Sequence, residues 1–205
     1  MKHMIWMTAA ALMAGLVVAG EEPPAPAPEA PKLETGTKVG NKLPHFKAEA
    51  WDLSKEEPTK AAFDSHDTKK ATAYVFMSGT CPYCKMYQGR LAAMAKDYAE
   101  KGITFVMVHP TRATSHEDKV KYHKEAGLTA APMINDKDAS IAAALKVTKT
   151  PEIVLVKKDG EIVFRGGIDD SPGNADAVKK PFLKTACDEV AAGEKVTVTS
   201  APLYG

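Results

Sequence analysis

The sequence predicts an α/β fold with a mixed central β-sheet flanked by helices. Three observations carry that prediction. Residues 72–77 and Ile103–Val108 are short apolar runs rich in β-branched and aromatic residues, as in strands covered on both faces. Between them, residues 82–100 place Met86, Leu91, Met94, Ala95 and Tyr98 close to helical spacing and stop at Gly102. Strand, helix and strand then form a parallel crossover, which is right-handed. Further on, Glu152–Val156 and Glu161–Arg165 flank Lys157-Lys158-Asp159-Gly160, an Asp-Gly signal for an antiparallel hairpin.

The elements fall in order along the 205 residues. Lys2 and His3 precede an apolar stretch from Met4 to Ala19, and small residues follow at Val18-Ala19-Gly20. A basic start, an apolar centre and a small-residue site are the parts of a secretory signal peptide, placed here at residues 1–20. The competing reading is an uncleaved anchor, for which the stretch is short. Residues 21–38 are rich in Pro, Ala and Glu; they lack core-forming side chains and read as an extended tether. The folded domain is expected over 39–192, with residues 193–205 as a C-terminal tail. Inside it, Ser115 or Thr114 caps a polar helix over 116–126 ended by Gly127. A short strand near Ala131–Ile134 and a helix over Ala139–Lys146 follow. A last helix runs from Pro181, tolerated in a first turn, to Ala192.

One motif names a chemistry. Cys81-Pro82-Tyr83-Cys84 sits where the first core strand hands over to the first helix. Loops at the carboxyl ends of strands are where sites gather in open α/β sheets. At a helix N-terminus, unsatisfied backbone N–H groups and the helix dipole favour negative charge. The Cys81 thiolate is therefore stabilised; cysteines so placed titrate at roughly 3.5–7.5. Two intervening residues let Cys84 reach Cys81 from one turn deeper. Cys81 is the nucleophile that forms a mixed disulfide with a partner, and Cys84 resolves it, leaving a Cys81–Cys84 disulfide. Pro82 fits the helix start, and Tyr83 offers an aromatic surface beside the reactive sulfur. A structural zinc site would call for a second close pair, and the remaining cysteine, Cys187, is far away in sequence.

From Val39 to Ala192 the chain resembles the thioredoxin-like superfamily, closest to its redoxin or thiol-disulfide interchange branch. The resemblance rests on the strand leading into Cys81–Cys84, on Thr150-Pro151 before the strand Glu152–Val156, and on the hairpin with Asp159-Gly160. It implies a thioredoxin-like fold and a cis-proline at Pro151 opposite the cysteines. It also implies that Thr150 pairs with the substrate backbone. Segment 111–151 resembles the insertion that separates redoxins from plain thioredoxins. Arg165-Gly166-Gly167-Ile168-Asp169-Asp170 resembles a stretch of exported relatives, without a mechanism attached.

Two departures bear on the chemistry. Relatives carry a buried carboxylate six residues before the first cysteine; here that residue is Val75, leaving Glu49, Asp52 or solvent to handle the proton. Peroxiredoxins need Pro-X-X-X-Thr-X-X-Cys; here the corresponding residues are Tyr74 and Ser78, so the hydroxyl is kept and the proline is lost. A thiol peroxidase is one alternative. A copper-handling metallochaperone using Cys81, Cys84 and a histidine is another, since thiolates suit copper(I). His109, His116 and His123 are expected to be solvated, Cys187 to be a core thiol, and Trp51, Tyr83 and Phe76 to be packing groups. No organic cofactor and no resident metal are called for.

Composition restricts the partners. Net charge is +1, so no strong field argues for nucleic acid or an anionic surface. The reading is of an exported oxidoreductase, periplasmic in a Gram-negative source. It acts on protein thiols or disulfides and is recharged by a membrane or soluble thiol electron donor. Related motifs span roughly −270 to −120 mV, so compartment and donor set the net direction.

Overall fold

The computed structural model describes residues 37–204 except Pro44 and His66; the expected signal peptide and almost all of the tether lie outside the described residues. Seven strands form one mixed sheet: β1 (Lys47–Asp52), β2 (Thr59–Asp64), β3 (Ala71–Phe76), β4 (Ile103–Val108), β5 (Met133–Ile134), β6 (Glu152–Lys157) and β7 (Ile162–Gly166). Their spatial order is β2-β1-β5-β4-β3-β6-β7. β3, β4 and β5 run parallel; β1, β2, β6 and β7 add antiparallel edges. The helices are α1 (Pro82–Glu100), α2 (His116–Glu125), α3 (Ser140–Ala144) and α4 (Phe182–Ala192).

β3 holds the centre because all six of its residues are buried. Successive side chains alternate between faces. Ala71, Ala73 and Val75 point into a layer with Leu91, Ala95 and Tyr98 of α1 and with Leu183, Ala186 and Cys187 of α4. Tyr74 and Phe76 point into the opposite layer with Leu43, Phe46, Val106, Val154, Ile141 and Leu145. Both layers dry the central strands, which is why the sequence runs there read as continuously apolar. Cys187 is a fully buried core thiol, as expected.

The hairpin of β1 and β2 is an addition to the predicted elements. Its β2 is largely exposed, so residues 59–64 lack the apolar alternation that marks a half-buried strand. Residues 194–204 also lie against the fold. Arg165 N–H donates to Thr199 O at 3.0 Å, and Val196 is buried in the first layer. This explains Gly166-Gly167: a Cβ on either residue would collide with the backbone of Ala201 or Pro202. The predicted Ala139–Lys146 helix shrinks to Ser140–Ala144 between two residues of positive φ, Ala139 and Lys146. Ser115 is the cap of α2, its hydroxyl accepting from Asp118 N–H at 3.0 Å.

Candidate active site

The strand-to-helix handover places the dithiol. Met77 N–H donates to Val108 O at 2.9 Å, extending the β3–β4 pairing one residue past β3, and the chain turns through Ser78, Gly79 and Thr80. Cys81 is the N-cap of α1 in extended conformation, and Pro82 occupies the first turn, where its missing N–H leaves no donor unpaired. No side chain caps this helix. The N-terminal N–H groups thus remain for the sulfurs.

The two thiols occupy different surroundings. Cys81 is partly exposed, whereas Cys84 is fully buried, one turn in. Burial opposes the Cys81 thiolate, but the Thr150 side chain and the N–H groups of Cys84 and Tyr83 outweigh it and hold that thiol below its ordinary value. Burial pushes the Cys84 thiol up to about 12, and the nearby Cys81 charge acts in the same direction. Ser78 N–H, donating to Cys84 Sγ at 3.4 Å, only partly offsets this. Cys81 therefore gives up its proton more readily than a free cysteine, whereas Cys84 holds its proton more tightly.

Thr150 and Pro151 stand opposite. The Thr150–Pro151 bond is cis, as the resemblance implied. The Cys81 thiol lies 3.0 Å from Thr150 O and donates to it in its protonated form. Glu152, directly after Pro151, is buried; it accepts from Thr148 N–H at 3.3 Å and is paired with Arg165 at 2.6 Å. That pair fastens both sides of the Thr150–Pro151 loop. Tyr83 and Met86 lie on the exposed face of α1's first turn, 37% and 50% accessible, apolar side chains that a folded core does not account for. Cys81, Cys84, Pro82, Tyr83, Thr150 and Pro151 thus surround a single locus.

Other sequence expectations change. Glu49 is paired with Lys60 at 3.0 Å, and Asp52 accepts from Ser54. Both lie on β1, separated from β3 by β5 and β4, so neither replaces the carboxylate missing at Val75. Two of these histidines are not solvated: His109 and His123 are buried with their Nε2 atoms 2.9 Å apart. His116 is half-buried, its ring tilted against Trp51 at a centroid distance of 4.1 Å. The seven-residue spacing of His116 and His123 concealed this, because the partner of His123 comes from the end of β4. Tyr122 was overlooked altogether. Its ring packs on Gly79, where a Cβ would come within 2.9 Å of Cγ, so α2 presses directly on the loop that carries Cys81. A Gly two residues before the motif was the available signal.

The peroxidase pattern is also altered in space. Ser78 Oγ is 2.9 Å from the Thr80 hydroxyl and accepts from Thr80 N–H, while Tyr74 faces the opposite core layer.

Comparison with known proteins agrees with this architecture. The profile of the AhpC/TSA family matches residues 39–165, more than half of the chain. No curated protein sequence matches significantly. Among solved structures, the chain is similar to an uncharacterized conserved protein from Geobacillus kaustophilus, with 26% identity and a TM-score of 0.67 over 78% of this chain and 85% of that one. A hypothetical protein from Sinorhizobium meliloti 1021 gives 26% identity and 0.67 over 82% and 92%. A secreted disulfide oxidoreductase of Mycobacterium tuberculosis shares the fold at 23% identity and 0.50, over 70% and 94%. The chain therefore belongs to the AhpC/TSA family and is an oxidoreductase of thioredoxin-like fold.

Proposed function

We propose that the chain is an exported thiol-disulfide oxidoreductase that exchanges disulfides with protein thiols. Cys81 is the nucleophile and Cys84 the resolving thiol. The observation that carries this reading is the opposite displacement of the two thiols, down for Cys81 and up for Cys84, beside Thr150 and Pro151. The Cys81 thiolate attacks a partner disulfide, forming one S–S bond and releasing one partner sulfur, which takes a proton. Cys84 then loses its proton and attacks Cys81 Sγ. The Cys81–Cys84 disulfide forms, and the partner leaves as a dithiol, having gained two electrons and two protons. The reverse sequence oxidises a partner.

Thr150 supplies backbone to the partner chain, Pro151 shapes that edge, and Pro82 with Tyr83 borders the approach to Cys81. Export rests on the N-terminal sequence; among the described residues no helix is long and apolar enough to cross a membrane. A membrane or soluble thiol donor resets the pair.

The test is to purify Cys84→Ser from the exported fraction under acid quench. Mixed disulfides through Cys81 are expected with polypeptide partners. Peroxide consumption that survives loss of Cys84 would favour a peroxidase instead, and copper(I) retention against a thiol competitor without disulfide turnover would favour a metallochaperone.

A further inference from the structure

A recess of about 350 Å³ opens beside Thr150, lined by Pro110, Ala139, Ala142, Ala143 and Val147 together with Thr148, Lys149 and Thr150 itself. Its wall is α3, a helix of five residues, too short to persist by its own hydrogen bonds. A buried carboxylate and a half-buried guanidinium hold its two ends. The Asp136 carboxylate accepts from Ile141 N–H at 3.1 Å and Ala142 N–H at 2.9 Å. The Arg165 guanidinium donates to Leu145 O at 2.6 Å and Lys146 O at 2.9 Å. Ala139 and Lys146, at its two ends, are the non-glycine residues of positive φ among those described, at 57° and 50°. A left-handed alanine or lysine is strained and persists where its surroundings impose it. The fold thus imposes a short helix whose alanines leave an apolar recess unfilled next to the reactive sulfur.

We propose that this recess receives an aliphatic side chain of an oxidised polypeptide, close in sequence to the cysteine that exchanges with Cys81. The inference rests on the dithiol reading above and names its substrate class. Continuity with the candidate site identifies the occupant, because Thr150 belongs to both and its carbonyl is 3.0 Å from Cys81 Sγ. A partner sulfur bonded to Cys81 lies about 2.05 Å from that sulfur. Neighbouring residues of the partner, about 3.8 Å apart along its chain, then pass over the recess. Proline, alanine and valine offer contact to a leucine-sized group, and the exposed Lys149 is the charged residue of the lining.

The experiment uses the full-length Cys84→Ser chain loaded with glutathione on Cys81. A peptide thiolate forms a bond to Cys81 Sγ; the bond to the glutathione sulfur breaks, and glutathione leaves as a thiolate that takes a proton. Gly/Ser octapeptides with one cysteine carry Leu, or Asp, at each of the two positions on either side. Leu at one position is expected to favour the mixed disulfide by roughly tenfold over Gly, as apolar pockets discriminate, and by more than Asp, which the exposed Lys149 alone would attract. Adding Ala143→Glu or Ala143→Leu, at an exposed helix position, is expected to bring the Leu/Gly ratio near one.

No Leu preference above about twofold, or a preference surviving both Ala143 variants, overturns the proposal. A dimer split by Ala143→Glu assigns the recess to a second copy and overturns it too. Failure of Cys81 to accept glutathione at all overturns the dithiol reading itself.

Discussion

Cys81 with Cys84 and His109 with His123 each set two like titratable side chains together, and burial acts on the two pairs differently. In the dithiol it is unequal. Cys84 is enclosed and keeps its proton, while Cys81 lies at the helix mouth, where N–H donors and Thr150 hold its thiolate. In the imidazole pair it is equal. Both rings are enclosed, burial lowers both, and the neighbouring Lys119 lowers His109 further. An asymmetric pair divides into an attacking and a waiting group. A symmetric pair without an opposing charge stays neutral, shares one hydrogen bond and serves packing. It fastens α2 to the end of β4, and α2 in turn sets Tyr122 on Gly79.

The largest expected effect tests the division of labour in the dithiol. Cys81→Ser should lower disulfide exchange by about 10³-fold or more, as loss of a nucleophile does. Cys84→Ser should keep the first attack and lose turnover; equal first-attack rates in the two variants would contradict the asymmetry.

Next in size is the reactivity gap in the reduced protein. At pH 8, iodoacetamide should modify Cys81 at least about 100-fold faster than Cys84, because the thiolate is the reactive form. Peptide mapping of a partially alkylated sample reads this directly. Comparable labelling of both sulfurs would show that the deeper thiol is not protected.

The histidine pair predicts a stability effect instead. The folded value of His123 is lowered to about 4, so the unfolded chain binds more protons below about 6.5. Its contribution is complete above that value and is lost as pH falls toward about 4. At pH 5 the loss from His123 amounts to about 2 kcal/mol. Urea unfolding at pH 7.5 and 5.0 measures it, and the difference should shrink in His123→Gln. The smallest effect expected is that of Thr150→Val. Without the hydroxyl the Cys81 thiol titrates higher, and its alkylation at pH 7 slows by about 2–5-fold. A faster rate would assign the stabilisation to the helix N-terminus alone.

Much of the fold was legible because the central strands are dry on both faces. Such strands need apolar residues at every position, and β3, β4 and β6 announce themselves. β2 did not, since its hydrogen bonds to β1 require no apolar side chains. The candidate site was legible at Cys81 and Cys84 because their spacing is a local property. Thr150 and Pro151 were reached by resemblance, as nothing in a Thr-Pro pair states which loop it will face. The histidines were misjudged for a related reason: helical spacing compares His116 with His123, while the contact is formed with His109, on another element.

By itself the sequence determined the local chemistry: a thiol pair at a helix start, apolar strands long enough to bury and an Asp-Gly turn. These follow from covalent spacing and backbone preference, which act within a few residues. Tertiary structure alone decided which carbonyl faces Cys81 and how completely Cys84 is enclosed. It also neutralised the histidine pair, and left alanines of α3 lining an open recess beside the reactive sulfur. Those outcomes depend on desolvation and on groups tens of residues apart in the chain, and they are set only when the sheet closes its two layers.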